Sequence, residues 1–225
     1  MATKSKSKEE VRQEQVETQV SKFEQFYNNN KNVLWGVLLG IVAVWLAILG
    51  YQKFIYQPKC EKAQEQAFPA ERSFQNGEYE LALNGDGNVL GFAEIIDTYG
   101  SKAGKAVYMY AGICELQLGN NEDAIKYLAK YKGKEAILKA RALSCQADAH
   151  VGLEEYGKAV SLYKKALAVS AENDFNSTIL FKEGLALKAL GKKAEALACF
   201  KAILADYPQS IEAYDIDRYI AEVSE

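Results

Sequence analysis

The residues able to do chemistry are few. His150 is the one histidine in the chain, so no His-rich metal site can be assembled and an imidazole relay has a single candidate. It falls beside Ala147 and Ala149 on a helical stretch that supplies neither a nucleophile nor a ligand set, and it reads as an ordinary helix-surface or inter-repeat histidine. Cys60, Cys114, Cys145 and Cys199 stand 54, 31 and 54 residues apart with no C-x-x-C, which gives neither a disulfide framework nor a zinc ribbon. The last three fit small buried apolar positions. Asp86, inside Asn84-Gly85-Asp86-Gly87-Asn88, invites a calcium reading, but the EF-hand ligand series and its terminal Glu are missing. A turn rich in left-handed tolerance is the stronger account of that loop. No P-loop, G-x-S-x-G, H-E-x-x-H or dinucleotide glycine motif occurs. The paired acids Glu122-Asp123 and Glu154-Glu155 sit at helix starts, where they favour the helix dipole. A protein that is not an enzyme, with no cofactor, no catalytic residue and no metal ligand, is the expectation; a cryptic enzyme or metal-binding protein would need a site hidden in residues 77–100.

What positions these residues begins with composition. The chain has 225 residues, 27 basic against 30 acidic, with 49% apolar and 25% charged residues, which disfavours a nucleic-acid binder held by a basic field and a disordered tail alike. Residues 32–52 form an uncharged window of 21 residues around VLWGVLLGIVAVWLAILGY; at about 1.5 Å per residue it spans the roughly 30 Å of bilayer hydrocarbon. The run begins too late for a cleaved leader and exits into Tyr51, Lys53, Phe54 and Tyr56, an interface belt. The expected layout is therefore a cytoplasmic tail over 1–31, a transmembrane helix over 32–52, a juxtamembrane linker helix over 53–69 and a helical domain over 70–225. The tail is short, whereas residues 53–225 carry 21 basic and 25 acidic side chains, and this places the large domain across the membrane. In the tail, Val16, Val20, Phe23 and Tyr27 make an apolar stripe that suits either an interfacial helix or the run-in to the span. Gly36-x-x-x-Gly40 and Ala43-x-x-x-Ala47 leave room for close helix contact and a homo-oligomer.

Beyond Pro58 the chain repeats itself. Gly112, Ala147 and Gly184 recur at steps of 35 and 37 residues, and the same steps relate Ala124, Ala159 and Ala196, and the bulky Leu128, Tyr163 and Phe200. Each unit reads as two helices with a glycine-bearing turn, at Gly119, at Gly152-Leu153-Glu154-Glu155-Tyr156-Gly157 and at Gly191. The recurring Gly and Ala positions let paired backbones approach while the bulky column fills the adjoining space. Gly77 to Ala82 looks like a degenerate earlier unit, followed by a helix over 90–99, and Tyr214, Ile216, Tyr219, Ile220 and Val223 supply a capping helix over 211–223. Lys192-Lys193 and Lys130, Lys132 and Lys134 read as solvated faces, with a contact to anionic lipid as the weaker alternative.

The small, bulky and turn positions, clearest in Gly184, Leu187, Gly191, Ala196, Phe200 and Pro208, resemble the tetratricopeptide repeat. Glu183 and Ile203 depart from that pattern. The resemblance implies an all-α protein: one transmembrane helix, then a TPR-like α-solenoid of three clear repeats, one degenerate repeat and a C-terminal capping helix. It also implies a partner-binding groove lined by first helices, with Met109, Ile113 and Leu116, then Arg141 and Asp148, then Phe181, Leu185 and Lys188 facing it. Met109 and Ile113 stand where a carboxylate-clamping groove needs Lys and Asn, so a groove for an extended or helical protein segment is expected instead; plain packing of the apolar members remains the competing account. The stretch VETQVSKFEQFYNNNKNVLWGVLLGIVAVWLAILGYQKF followed by repeats is similar to the single-span ancillary subunit of the bacterial Sec translocon. That similarity implies a bacterial inner-membrane protein with a periplasmic repeat domain whose protein partners are translocon subunits, secreted chains or chaperones. A scaffold for outer-membrane or division machinery assembly is the alternative.

Overall fold

The computed structural model describes residues 8–170 and 173–224; the side chains of residues 8–19 and of Phe23 lie outside the described set. Val16 and Phe23, two members of the amino-terminal stripe, therefore fall outside it, as does Ala171 at the end of the second repeat. The chain divides into two compact units, Met1–Pro58 and Lys59–Glu225.

The first unit is built on α1 (Lys8–Tyr51), followed by a π-helical segment, Gln52–Tyr56. Alanine, leucine and valine favour helix or are tolerated in it, and no proline interrupts the 44 residues. Its large side chains find no protein cover: Leu39 is 64% and Trp45 61% exposed. It contains a window long and apolar enough to cross a membrane, none of it buried within the protein.

The second unit is all-helical among the described residues. It comprises α2 (Gln57–Gln75) from its third residue onward, α3 (Tyr79–Asn84), α4 (Phe92–Tyr99), α5 (Lys105–Gln117), α6 (Asn121–Lys130), α7 (Ala136–Gly152), α8 (Tyr156–Val169), α9 (Phe175–Ala189), α10 (Lys193–Asp206), α11 (Ile211–Tyr214) and α12 (Ile216–Ser224). Helices α5/α6, α7/α8 and α9/α10 pack as successive hairpins, and α8 packs in turn on α9. This is a TPR-like α-solenoid.

Steric exclusion sets the hairpin spacing. A methyl built on Gly112 would lie 2.5 Å from Leu128 Cγ, and one on Gly184 would lie 2.4 Å from Phe200 Cε1. Ala124, Ala147, Ala159 and Ala196 are fully buried, and so, to within 1%, are Leu128, Tyr163 and Phe200. Glycine or alanine on one helix thus receives the large side chain of its partner.

The turns carry a correction. Each hairpin closes with the same pair of backbone bonds: Gly119 N–H to Leu116 C=O and Asn120 N–H to Glu115 C=O, with counterparts at Glu154 and Glu155 and at Gly191 and Lys192. This double closure puts the residue after the helix in the left-handed region. Gly119 (φ 82°) and Gly191 (φ 73°) occupy it, but in the middle hairpin the residue is Glu154 (φ 58°), not one of the flanking glycines. The repeat step of 35 and 37 residues aligns 119, 154 and 191, so register, rather than residue preference, decides.

Two other boundaries differ from expectation. Leu90 pairs with Gly85 in an isolated antiparallel bridge, and α4 starts only at Phe92. Gly85 and Gly91 allow this neck, since a Cβ on either would come within 2.2 Å of a carbonyl oxygen. The carboxyl-terminal cap is broken at Asp215 into α11 and α12; Ile216 and Val223 are buried, whereas Tyr214 is 91% exposed and takes no part in capping. Ser210 Oγ accepts from Ala213 N–H at 3.2 Å, and the Glu212 carboxylate takes Ser177 Oγ (2.9 Å) and Thr178 Oγ1 (2.5 Å). Turning Glu212 toward α9 turns Tyr214 outward.

Candidate protein-binding site

Helix α5 packs on α7, and Lys182 of α9 reaches Asp148 of α7, so these three first helices are considered as one face. Met109 and Ile113 on α5 are buried, in a cluster with Leu128, Ala142 and Ala149 against which Leu116 packs. Methionine and isoleucine at these positions fill the space between α5 and α7 and offer little surface to a partner.

One turn further along the stack the face opens. A cleft of about 280 Å³ is lined by Asp148 and Val151 of α7, Tyr156 and Tyr163 of α8, and Lys182, Leu185 and Ala186 of α9. Asp148 and Leu185, 37 residues apart, are brought together here. Asp148 is held from two sides: Tyr163 Oη donates to its Oδ1 at 2.6 Å, and Lys182 Nζ sits 2.7 Å from its Oδ2. Burial pushes the Tyr163 phenol far above its ordinary pKa, and the Asp148 charge and hydrogen bond push it further, so it stays a hydrogen-bond donor. Tyr163 occupies the column that holds Leu128 and Phe200 elsewhere, and its hydroxyl is the one polar tip in that column. Its ring was legible in the repeat; its hydroxyl's partner fifteen residues back was not. Lys182 lies one turn before Leu185 and had no spacing signal of its own.

The remaining facing residues divide. Arg141 is exposed at the start of the α7 face. Phe181 is half-buried, edge-on to Tyr219 of α12 at 4.8 Å between ring centres and 6.1 Å from Phe200. Lys188 pairs with Glu222, also on α12. The capping helix therefore stands where a fourth first helix would, and it covers the outer end of the α9 face. Two larger surface clefts, of about 620 Å³ beside Tyr79, Leu81 and Leu118 and of about 440 Å³ beside Asp97, Glu115 and Tyr127, take in no residue of α7 or α9.

Chemistry is damped elsewhere. Burial pushes the thiol of Cys114 up to about 12, that of Cys145 to about 11 and that of Cys199 to about 12, which suppresses the nucleophilic thiolate. His150 Nδ1 lies 2.6 Å from Glu155 Oε2 across the hairpin turn. Asp86 Oδ1 accepts the N–H groups of Asn88 (2.8 Å) and Val89 (2.9 Å), and these bonds hold its carboxyl below the ordinary range. Its turn is closed by its own backbone. Among the described residues no group of three or more His, Cys, Asp or Glu side chains is placed to hold a metal ion.

The comparisons with known proteins agree on architecture. Residues 146–211, from mid-α7 to the start of α11, match the family model described as Tetratricopeptide repeat. Solved structures of MamA are similar in fold. One is 17% identical with a TM-score of 0.58, covering 73% of this chain and 83% of that one; a second is 16% identical with a TM-score of 0.54, covering 69% and 87%. A third, "MamA AMB-1 P212121", is 18% identical with a TM-score of 0.53, covering 72% and 80%. No curated protein matches the sequence. Stacked helical hairpins of this kind present extended surfaces on which other proteins can dock.

Proposed function

We propose that the chain is a membrane-tethered adaptor, without catalytic activity of its own, whose α7–α9 cleft receives a segment of another protein. The observation that carries this reading is the cleft itself: apolar walls from Val151, Tyr156 and Leu185 around a fixed polar pair, Asp148 and Lys182. Apolar walls give affinity, and the pair, already satisfied, gives orientation without a large desolvation cost. Residues 32–52 span the bacterial inner membrane, 1–31 remain cytoplasmic, 53–69 continue as the juxtamembrane linker, and 70–225 form the periplasmic repeat domain. The similarity of the anchor region to the Sec translocon's ancillary subunit makes translocon subunits, secreted chains or their chaperones the partners of choice.

Two measurements test this. Protease added to spheroplasts should digest residues 60–225; protection of that fragment contradicts the orientation. Affinity isolation of the intact chain in mild detergent should recover translocon subunits or secreted chains, and Leu185→Glu should lose them while retaining its helical circular dichroism. Recovery of outer-membrane assembly or division factors instead would favour the scaffold alternative, and identical recovery by Leu185→Glu would remove the cleft from the account.

A further inference from the structure

One surface of the repeat domain is unlike the rest in charge. Residues 53–225 carry 21 basic and 25 acidic side chains, yet residues 132–141 hold Lys132, Lys134, Lys139 and Arg141 against Glu135 alone. All four cations are exposed and none forms an ion pair with another described side chain. Among them, at the start of α7, stand Ile137, 57% exposed, and Leu138, 38% exposed, while Ala140 and Ala142 are buried, each in a different core cluster.

Stability does not account for these cations. Lys132, Lys134 and Lys139 lie at or just before the first turn of α7, where the helix dipole disfavours positive charge. Lys130, by contrast, sits in the last turn of α6 and 6.0 Å from the Tyr127 ring centre, a position the dipole and the ring both favour. Glu135, the one acid present, is spent locally on the Lys134 N–H at 3.1 Å. Isolated exposed aliphatics are normal; two exposed aliphatics adjacent in sequence, with four exposed cations, unpaired among the described residues, within five residues on either side, are not. The apolar edge of α11 makes the contrast. Ile211 is 92% and Tyr214 91% exposed, but Glu212, Asp215 and Asp217 stand around them, the opposite sign.

We propose that the Lys132–Arg141 surface docks on an anionic bilayer, with Ile137 and Leu138 entering the headgroup boundary and Lys132, Lys134, Lys139 and Arg141 engaging lipid phosphates. Basic side chains around a small apolar wedge are the combination that interfacial binding needs. The same chain carries a helix apolar enough to cross a bilayer, so a lipid surface is at hand once that helix inserts. The inference is independent of the α7–α9 cleft as a protein site.

The test uses the full chain reconstituted in vesicles, either phosphatidylcholine alone or phosphatidylcholine with 30% phosphatidylglycerol, with Ile137 replaced by an environment-sensitive fluorescent amino acid. Each basic side chain near an anionic surface multiplies partitioning about fivefold. The expected result is blue-shifted emission, quenched by a lipid-borne quencher, in the anionic vesicles only. It should be reversed at about 1 M salt, where screening acts within about 3 Å. Lys132→Glu, Lys134→Glu and Lys139→Glu together should lower the docked fraction about 100-fold or more; the milder triple exchange to Gln should lower it in the same direction, which guards against misfolding. An aqueous spectrum in both vesicle types overturns the proposal. So does equal insertion in both, which would remove the charge argument, and so does a shift seen only after a protein partner is added, which would assign the surface to that protein.

Discussion

Gly184→Ala puts one methyl where the hairpin spacing is decided. In a helix interior this exchange ordinarily stabilises by about 1 kcal/mol. Here the methyl would meet Phe200 Cε1 at 2.4 Å, Cζ at 2.8 Å and Cδ1 at 2.9 Å, whereas carbon pairs settle at about 3.5–4.0 Å. The ring would have to retreat by roughly 1 Å by that standard, and it has nowhere to go: Phe200 is fully buried, with Phe181 and Tyr219 ring centres 6.1 and 5.8 Å away. Overpacking of this kind costs about 1–3 kcal/mol, so the net change is a loss of about 1 kcal/mol, or about 2–4 °C in Tm for a domain of this size. The matched control is Gly157→Ala in the first turn of α8, where nothing lies within 4 Å of the added methyl; it should leave Tm unchanged or raise it. Thermal circular dichroism of the full chain in mild detergent reads both, and Gly184→Ala combined with Phe200→Leu should recover part of the loss. If Gly184→Ala raises Tm as the control does, close helix approach is not what the repeating glycine and alanine positions enforce.

Glu154→Gly relieves the one non-glycine residue at positive φ among those described and should stabilise the domain by about 1 kcal/mol, the lower end of the left-handed penalty, measured by urea unfolding. Tyr163→Phe keeps the buried ring and removes the donor to Asp148; a hydrogen bond to a charged group is worth about 1.5–3 kcal/mol, so the urea midpoint should fall, and partner recovery should fall with it. Glu183 is 3% exposed, its nearest cation Lys164 is 3.9 Å away, and burial raises its pKa. A carboxyl whose folded-state pKa is raised stabilises fully below the unfolded value and loses that contribution as pH rises through the folded one. Glu183→Gln should therefore raise Tm at pH 7 and bring no such gain near pH 4; a gain that is the same at both would contradict a buried ionisable carboxyl.

Much of the solenoid could be read in advance because steric exclusion leaves a periodic trace: Gly112, Ala147 and Gly184 must be small wherever Leu128, Tyr163 and Phe200 enter. The left-handed residue of the middle hairpin was hidden because Gly152 and Gly157 draw attention away from Glu154, and only the 35- and 37-residue register reveals it. Which facing side chains stay open could not be read locally. Met109 and Ile113 are enclosed by α7, Phe181 packs on Tyr219 of α12, and Lys188 is paired with Glu222 of α12 while staying partly exposed; all four depend on neighbours far along the chain. The cleft at Asp148 likewise needs Tyr163 and Lys182, fifteen and thirty-four residues away.

The most direct measurement places a photoreactive amino acid at position 185, in the cleft, and separately at position 201, an exposed site on α10, in the full chain in its native membrane. The account predicts a discrete crosslinked protein from position 185, lost when Asp148→Ala is added, and none from position 201. Equal adducts from both positions, or none from 185 while the chain remains folded and membrane-bound, would contradict it.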